Sequence, residues 1–135
     1  MLFHSETDVL LSFDAIGTGD RDRQELRAIV TFDLCFITRF GYPNDEALGG
    51  HPLAKRGLRW YGVFEIIGSS WAAELAARNR ISFPNSSSDF GRHFIFTFHD
   101  STFECLARGL TTSFHPNTAN EPFIEQCLSA IGRNG

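Results

Sequence analysis

Lysine is almost missing from this chain of 135 residues: Lys55 stands alone, and the other basic residues are all arginine. Twelve basic residues against sixteen acidic ones leave a net charge of −4. The broad positive field that draws proteins to nucleic acid or anionic membrane surfaces is therefore lacking, and neither is expected as a partner. Cysteine is scarce as well. Cys35, Cys105 and Cys127 are odd in number and far apart with no C-x-x-C pair, so neither a disulfide framework nor a zinc knuckle is indicated. No apolar run approaches the roughly 18 residues of a membrane span. The opening MLFHSETDVLLSFD has acidic residues where a signal peptide needs a basic region, so the expected location is the cytoplasm. Gly17-Thr18-Gly19 lacks the third glycine and the helix of a phosphate loop.

What is present is ordinary globular material with one bias. Hydrophobic residues at 42% and charged residues at 21% argue against disorder and for a single domain over residues 1–135. Phenylalanine accounts for 14 of the aromatics, against two Tyr and two Trp, and a side chain without a polar tip suits a dry core. Val9, Leu11, Phe13 and Ala15 alternate as in a half-buried strand. The run from Leu26 to Phe40 alternates again, and its length requires a bulge or bend near Asp33. Residues 41–58 read as loop, with a helical turn opened by Pro52 and closed by Gly57. Trp60–Ile67 reads as a strand, and Ser69 or Ser70 as the cap of a helix to about Asn79, with Glu74 paired to Arg78. Residues 83–91 read as loop, and Asn120 caps a second helix that ends at Gly132. The expectation is an α+β fold: a curved antiparallel sheet or partial barrel, with two helices packed on a Phe-rich core.

The densest local pattern is RHFIFTFHDSTFEC at positions 92–105. A hairpin looping at His99–Thr102 would pair Phe98 with Phe103, Phe96 with Cys105 and Phe94 with Ala107. Thr97 would then face Glu104, and His93 would make a surface pair with Arg108. Consecutive His99, Asp100 and Ser101 cannot converge as a hydrolytic triad, whose members come from separate parts of a chain, and no G-x-S-x-G elbow exists. Cys105 falls on the core face, where a thiol is inert. What remains is His99 and Glu104, one diagonal step apart on a shared face, as a general base or outer-shell metal arrangement with its orienting carboxylate. The simpler account has His99 and Asp100 satisfy turn backbone groups while Glu104 pairs with an arginine.

A second concentration of chemistry is Asn44-Asp45-Glu46 followed by Gly49-Gly50-His51-Pro52. Its carboxylates and imidazole could hold a ligand, although the spacing matches no metal motif, so the identity of any metal or cofactor is left unknown. The simpler account makes Asn44 or Asp45 a turn cap. His51 joins His99 and Glu104 as a candidate catalytic residue. Asn44, Asp45, Glu46, Trp60 and Asp100 are candidate ligand-binding residues on a surface formed by the 41–60 loop and the polar end of the hairpin.

The segments NDEALGGHPLAKRGL at 44–58 and RHFIFTFHDSTFECLA at 92–107, with YGVFEIIGSSWAAELAARNR between them, resemble a family of small uncharacterised bacterial proteins. The resemblance implies a bacterial source and a standalone small domain, and it carries no catalytic or binding residue. The resulting expectation is a cytoplasmic binding module for a small molecule or a partner protein, with a homodimer compatible. The alternative is a general acid–base or metal-assisted hydrolytic enzyme that uses the 44–52 loop and the 99–104 hairpin end.

Overall fold

The computed structural model describes residues 1–16 and 25–116. Its strands are β1 (Leu2–His4), β2 (Val9–Ile16), β3 (Glu25–Gly41), β4 (Val63–Ile66), β5 (Arg92–Thr97) and β6 (Thr102–Pro116), with α1 (Ser70–Ser82) between β4 and β5. They form an antiparallel sheet of order β1-β2-β3-β6-β5-β4. The sheet is open, with β1 and β4 at its edges, which corrects the expected partial barrel. α1 is the one α-helix among the described residues, and the second expected helix, from Asn120, lies outside them.

The chain clusters into two compact units, the first from the described parts of Met1–Leu34 and Leu110–Gly135 and the second from Cys35–Gly109. In the first, Val9 pairs with Phe32, Leu11 with Val30 and Phe13 with Ala28. Leu10, Ser12 and Ile29, on the opposite parity, are also buried, so β2 is covered on both faces rather than one.

β3 crosses from one unit to the other at Leu34, which has φ 43° and marks the break expected one residue earlier. Before it, Ala28, Val30 and Phe32 are buried; after it, Phe36 and Phe40 are exposed. The single continuous apolar face read from the sequence therefore stops there. The expectation of phenylalanine as core material holds for Phe32, Phe94, Phe96 and Phe103 and fails at Phe3, Phe36, Phe40, Phe83 and Phe114, all exposed.

The second unit is built on the β5–β6 hairpin, whose register differs from expectation. Phe94 pairs with Cys105, Phe96 with Phe103 and Thr97 with Thr102, leaving Phe98–Ser101 as the loop. The shift is two residues, so the side chains that remain paired keep their expected face while their partners change. Burial cannot distinguish registers two residues apart. Long-range hydrogen bonds at the last pair favour the observed one. The Thr97 hydroxyl donates to the Arg59 carbonyl at 2.7 Å and accepts from Gly62 N–H at 2.9 Å, while Thr102 donates to the Pro43 carbonyl at 2.9 Å.

Local signals predicted the rest of the unit well. Ser69 caps α1 by accepting from Ala72 N–H at 3.1 Å, and Arg78 meets Glu74 at 2.6 Å. A 3₁₀ turn at Ala54–Arg56 ends at Gly57 in the left-handed region. Trp71 on α1 is buried and packs edge-on against His93 with centroids 5.2 Å apart. The strand expected over Trp60–Ile67 shortens to β4, because Tyr61 takes φ 53° and turns the chain ahead of it.

Candidate functional site

Three segments of the second unit converge on Glu104. Its carboxylate accepts from His93 Nε2 at 2.9 Å through Oε1 and from His51 Nε2 at 3.1 Å through Oε2. His93 lies opposite Leu106 and Glu104 opposite Ile95, so the two are diagonal neighbours on one face of the hairpin. His51 reaches the same carboxylate from the loop, just after the 3₁₀ turn Leu48–Gly50. His93 and Glu104 are buried and His51 is largely covered, with side-chain exposures of 8%, 11% and 5% for His51, Glu104 and His93.

Hydrogen-bond partners fix the protons. Leu53 N–H donates to His51 Nδ1 at 3.1 Å, so that nitrogen is bare and the proton sits on Nε2, facing Glu104. His93 likewise presents an N–H to the carboxylate and turns Nδ1 toward Ser69 Oγ, 2.7 Å away. Burial would raise the Glu104 carboxyl, but the bonds from His93 and then His51 outweigh it and hold the group below its ordinary range.

This cluster lines a cavity of about 560 Å³. Gly68, Ser69 and Ser70 bring the N-terminus of α1 to it, and Arg39 and Arg56 bring positive charge. Arg39 lies 3.8 Å over the Trp71 ring, a contact worth about 0.5–1 kcal/mol. Among the described residues, no group of three or more His, Cys, Asp and Glu side chains is arranged to hold a metal ion. In the Glu104 cluster each histidine Nε2 is engaged with its own carboxylate oxygen.

The other candidate residues form a separate, exposed group. His99 donates to Asp45 at 2.7 Å and the Tyr61 hydroxyl donates to the same oxygen at 2.9 Å. The hydrogen bond to Asp45, and then its charge, hold the His99 imidazole above its usual range. The bonds from His99 and then Tyr61 hold Asp45 below its own. Asp45 N–H also donates to the His99 carbonyl at 3.0 Å, so this group fastens the loop to the hairpin end. Asn44 caps a turn through Ala47 N–H at 3.1 Å. Glu46, Trp60 and Asp100 are exposed and do not line the cavity.

The two loops therefore meet, but with exchanged partners. The expected His99–Glu104 pair is not formed: His99 takes Asp45 and Glu104 takes His51 and His93. His99 stays in the loop as expected, where Asp45 reaches it, while Glu104 lies in the strand, where His93 and His51 reach it. His93, expected on the surface beside Arg108, is buried opposite Leu106.

Sequence reasoning missed His93, Ser69 as more than a cap, Tyr61 and Arg39. The shared parity of His93 and Glu104 was readable and was the signal for the first. Cys105 is buried as expected, and its thiol is pushed up by its hydrogen bond to Cys35 and by burial. Cys127 lies outside the described residues.

Comparison of the chain with protein-family models, with curated proteins and with solved structures finds no match. The functional reading accordingly rests on the chemistry of the cavity.

Proposed function

We propose that this is a small-molecule-binding protein of the bacterial cytoplasm whose ligand is a small anion, a carboxylate or phosphate, taken into the cavity beside Glu104. The observation that supports this reading is the set of donors facing one space: Arg39, Arg56 and the N-terminus of α1. Guanidinium groups bind oxyanions in planar two-point contacts, and a helix start adds backbone N–H groups and a favourable dipole. The one carboxylate in the lining already has both oxygens occupied by imidazole N–H groups, so it opposes an incoming anion less than a free one would.

The 560 Å³ volume suits a metabolite rather than a peptide segment. The surface first expected to make contact, with Asp45 and His99, is acidic and internally paired, and it serves this function by holding the 44–52 loop over the hairpin.

Thermal-shift measurements with short dicarboxylates and phosphate monoesters, against neutral amides and alcohols of the same size, test the reading. The anions raise Tm and the neutral compounds do not. Arg39→Gln with Arg56→Gln weakens binding about tenfold or more, as expected for charge-assisted hydrogen bonds. Stabilisation by the neutral set alone, or anion binding unchanged in the double variant, rules the reading out.

A further inference from the structure

The cavity wall contains a directed proton chain that simple anion binding does not require. Ser69 Oγ is 2.7 Å from His93 Nδ1, His93 Nε2 is 2.9 Å from Glu104 Oε1, and His51 Nε2 holds the second carboxylate oxygen at 3.1 Å. We propose that Ser69 is a nucleophile and that the protein cleaves small esters carrying an anionic group. The anionic preference rests on the cavity reading above, whereas the nucleophile stands on this chain alone.

Hydroxyl, imidazole and carboxylate occur here in the order that activates a serine. They come from three elements separate in sequence: the turn before α1, β5 and β6. The proton fixed on Nε2 by Glu104 leaves Nδ1 as the acceptor for the Ser69 hydroxyl. The ring nitrogens have the opposite assignment from the usual serine triad, but only one acceptor nitrogen and one anchored nitrogen are needed. Ser69 lies in a tight strand-to-helix connection, three residues after β4 ends and one before α1 begins, with Gly68 at φ 68° making the turn. Such connections expose a nucleophile at a helix start. Ala72 N–H already donates to Oγ at 3.1 Å, and with the α1 dipole it stabilises the negative charge that develops on Oγ as its proton leaves.

The step balances with water as co-reactant. Oγ bonds to the ester carbonyl carbon as its proton passes to His93 Nδ1. The carbonyl pair moves onto oxygen, then returns and breaks the bond to the alcohol oxygen, which leaves with the proton from Nδ1. Water then attacks the acyl-Ser69 carbon and gives a proton to Nδ1. The Oγ–carbon bond breaks and Oγ recovers that proton, releasing acid and free enzyme. Ser69 and His93 touch the reacting atoms. Glu104 positions His93 and offsets its transient charge, and His51 holds Glu104.

A neutral fluorophosphonate probe with mass spectrometry locates the nucleophile. Steady-state hydrolysis of 4-nitrophenyl acetate and mono-4-nitrophenyl succinate reads the substrate class. The probe attaches to Ser69, and the succinate ester is preferred about tenfold in kcat/KM, as a charged contact predicts. Ser69→Asn keeps a capping oxygen for α1 and reduces labelling and hydrolysis at least about a hundredfold. Glu104→Gln lowers kcat about a hundredfold with KM changed little, and Glu104→Asp recovers part of the loss. No label, or a label on another residue, overturns the nucleophile even if anions still raise Tm. Labelling of Ser69 without preference for the succinate ester leaves the nucleophile standing and overturns the anionic class.

Discussion

At His99, one exposed imidazole shares its proton with Asp45 and sits beside the Tyr61 hydroxyl. Its folded-state pKa is raised, so the pair contributes stability that is fully present below the unfolded value of about 6.5 and is lost as pH rises through the higher folded value. Asp45 is depressed, and its share is present above about 3.9 and lost as pH falls through the folded value. NMR titration should find the His99 midpoint above 6.5, and Asp45→Asn should bring it down toward that value. An unchanged midpoint would mean that Asp45 does not hold the ring. This residue was picked out in the sequence as a base. Its actual partner was not readable, because Asp45 lies 54 positions away and only the folded loop brings it close.

Among the elements, the β5–β6 hairpin shows most clearly what a sequence conveys and what it omits. Alternating phenylalanines determine which residues share a face, and those assignments hold for the paired residues, while Phe98 leaves its expected place opposite Phe103 for the loop. They say nothing about a slide of two residues, and Thr97 and Thr102 settled that through bonds to Arg59, Gly62 and Pro43 in distant loops. α1 was legible because its cap, its Glu74–Arg78 pair and its buried Trp71 are all local. β3 was misread past Leu34 because an alternating pattern does not reveal a left-handed residue.

Gly91, at the entry to β5, tests how tightly the hairpin is built. It has φ 77°, and a Cβ there would collide with the Ala107 carbonyl of β6. Gly91→Ala should cost about 1–3 kcal/mol from the backbone conformation alone, with the collision added. A fall in Tm of about 4 °C or more is expected. A Tm within a degree of the parent would mean that β5 and β6 are less closely joined at this end.

At the level of the molecule, acid sensitivity among the described residues is concentrated in three carboxylates held below their ordinary range: Glu104, where the bonds from its histidines outweigh burial, Asp45 by His99, and Glu65 by a two-point contact with Arg92 at 2.7 and 2.8 Å. Depressed carboxylates stabilise the fold above their unfolded values near 4 and release that stability as pH falls through the folded ones. Tm should therefore decline on acidification below about pH 4.3. Glu104→Gln should start lower and decline less steeply, since the buried group no longer titrates. Parallel Tm–pH curves for the two proteins would remove Glu104 from this account.

The meeting of His51, His93 and Glu104 also has a consequence for how the sequence can vary. One carboxylate serves two imidazoles, so losing Glu104 leaves both without that partner and losing either histidine leaves one carboxylate oxygen without its own. An isolated change at position 51, 93 or 104 is thus a poor evolutionary step, whereas a joint change to three apolar residues of similar volume is a viable one. In a lineage where the site has lost its use, these positions should drift together, and that shared drift would mark the loss in the sequence itself.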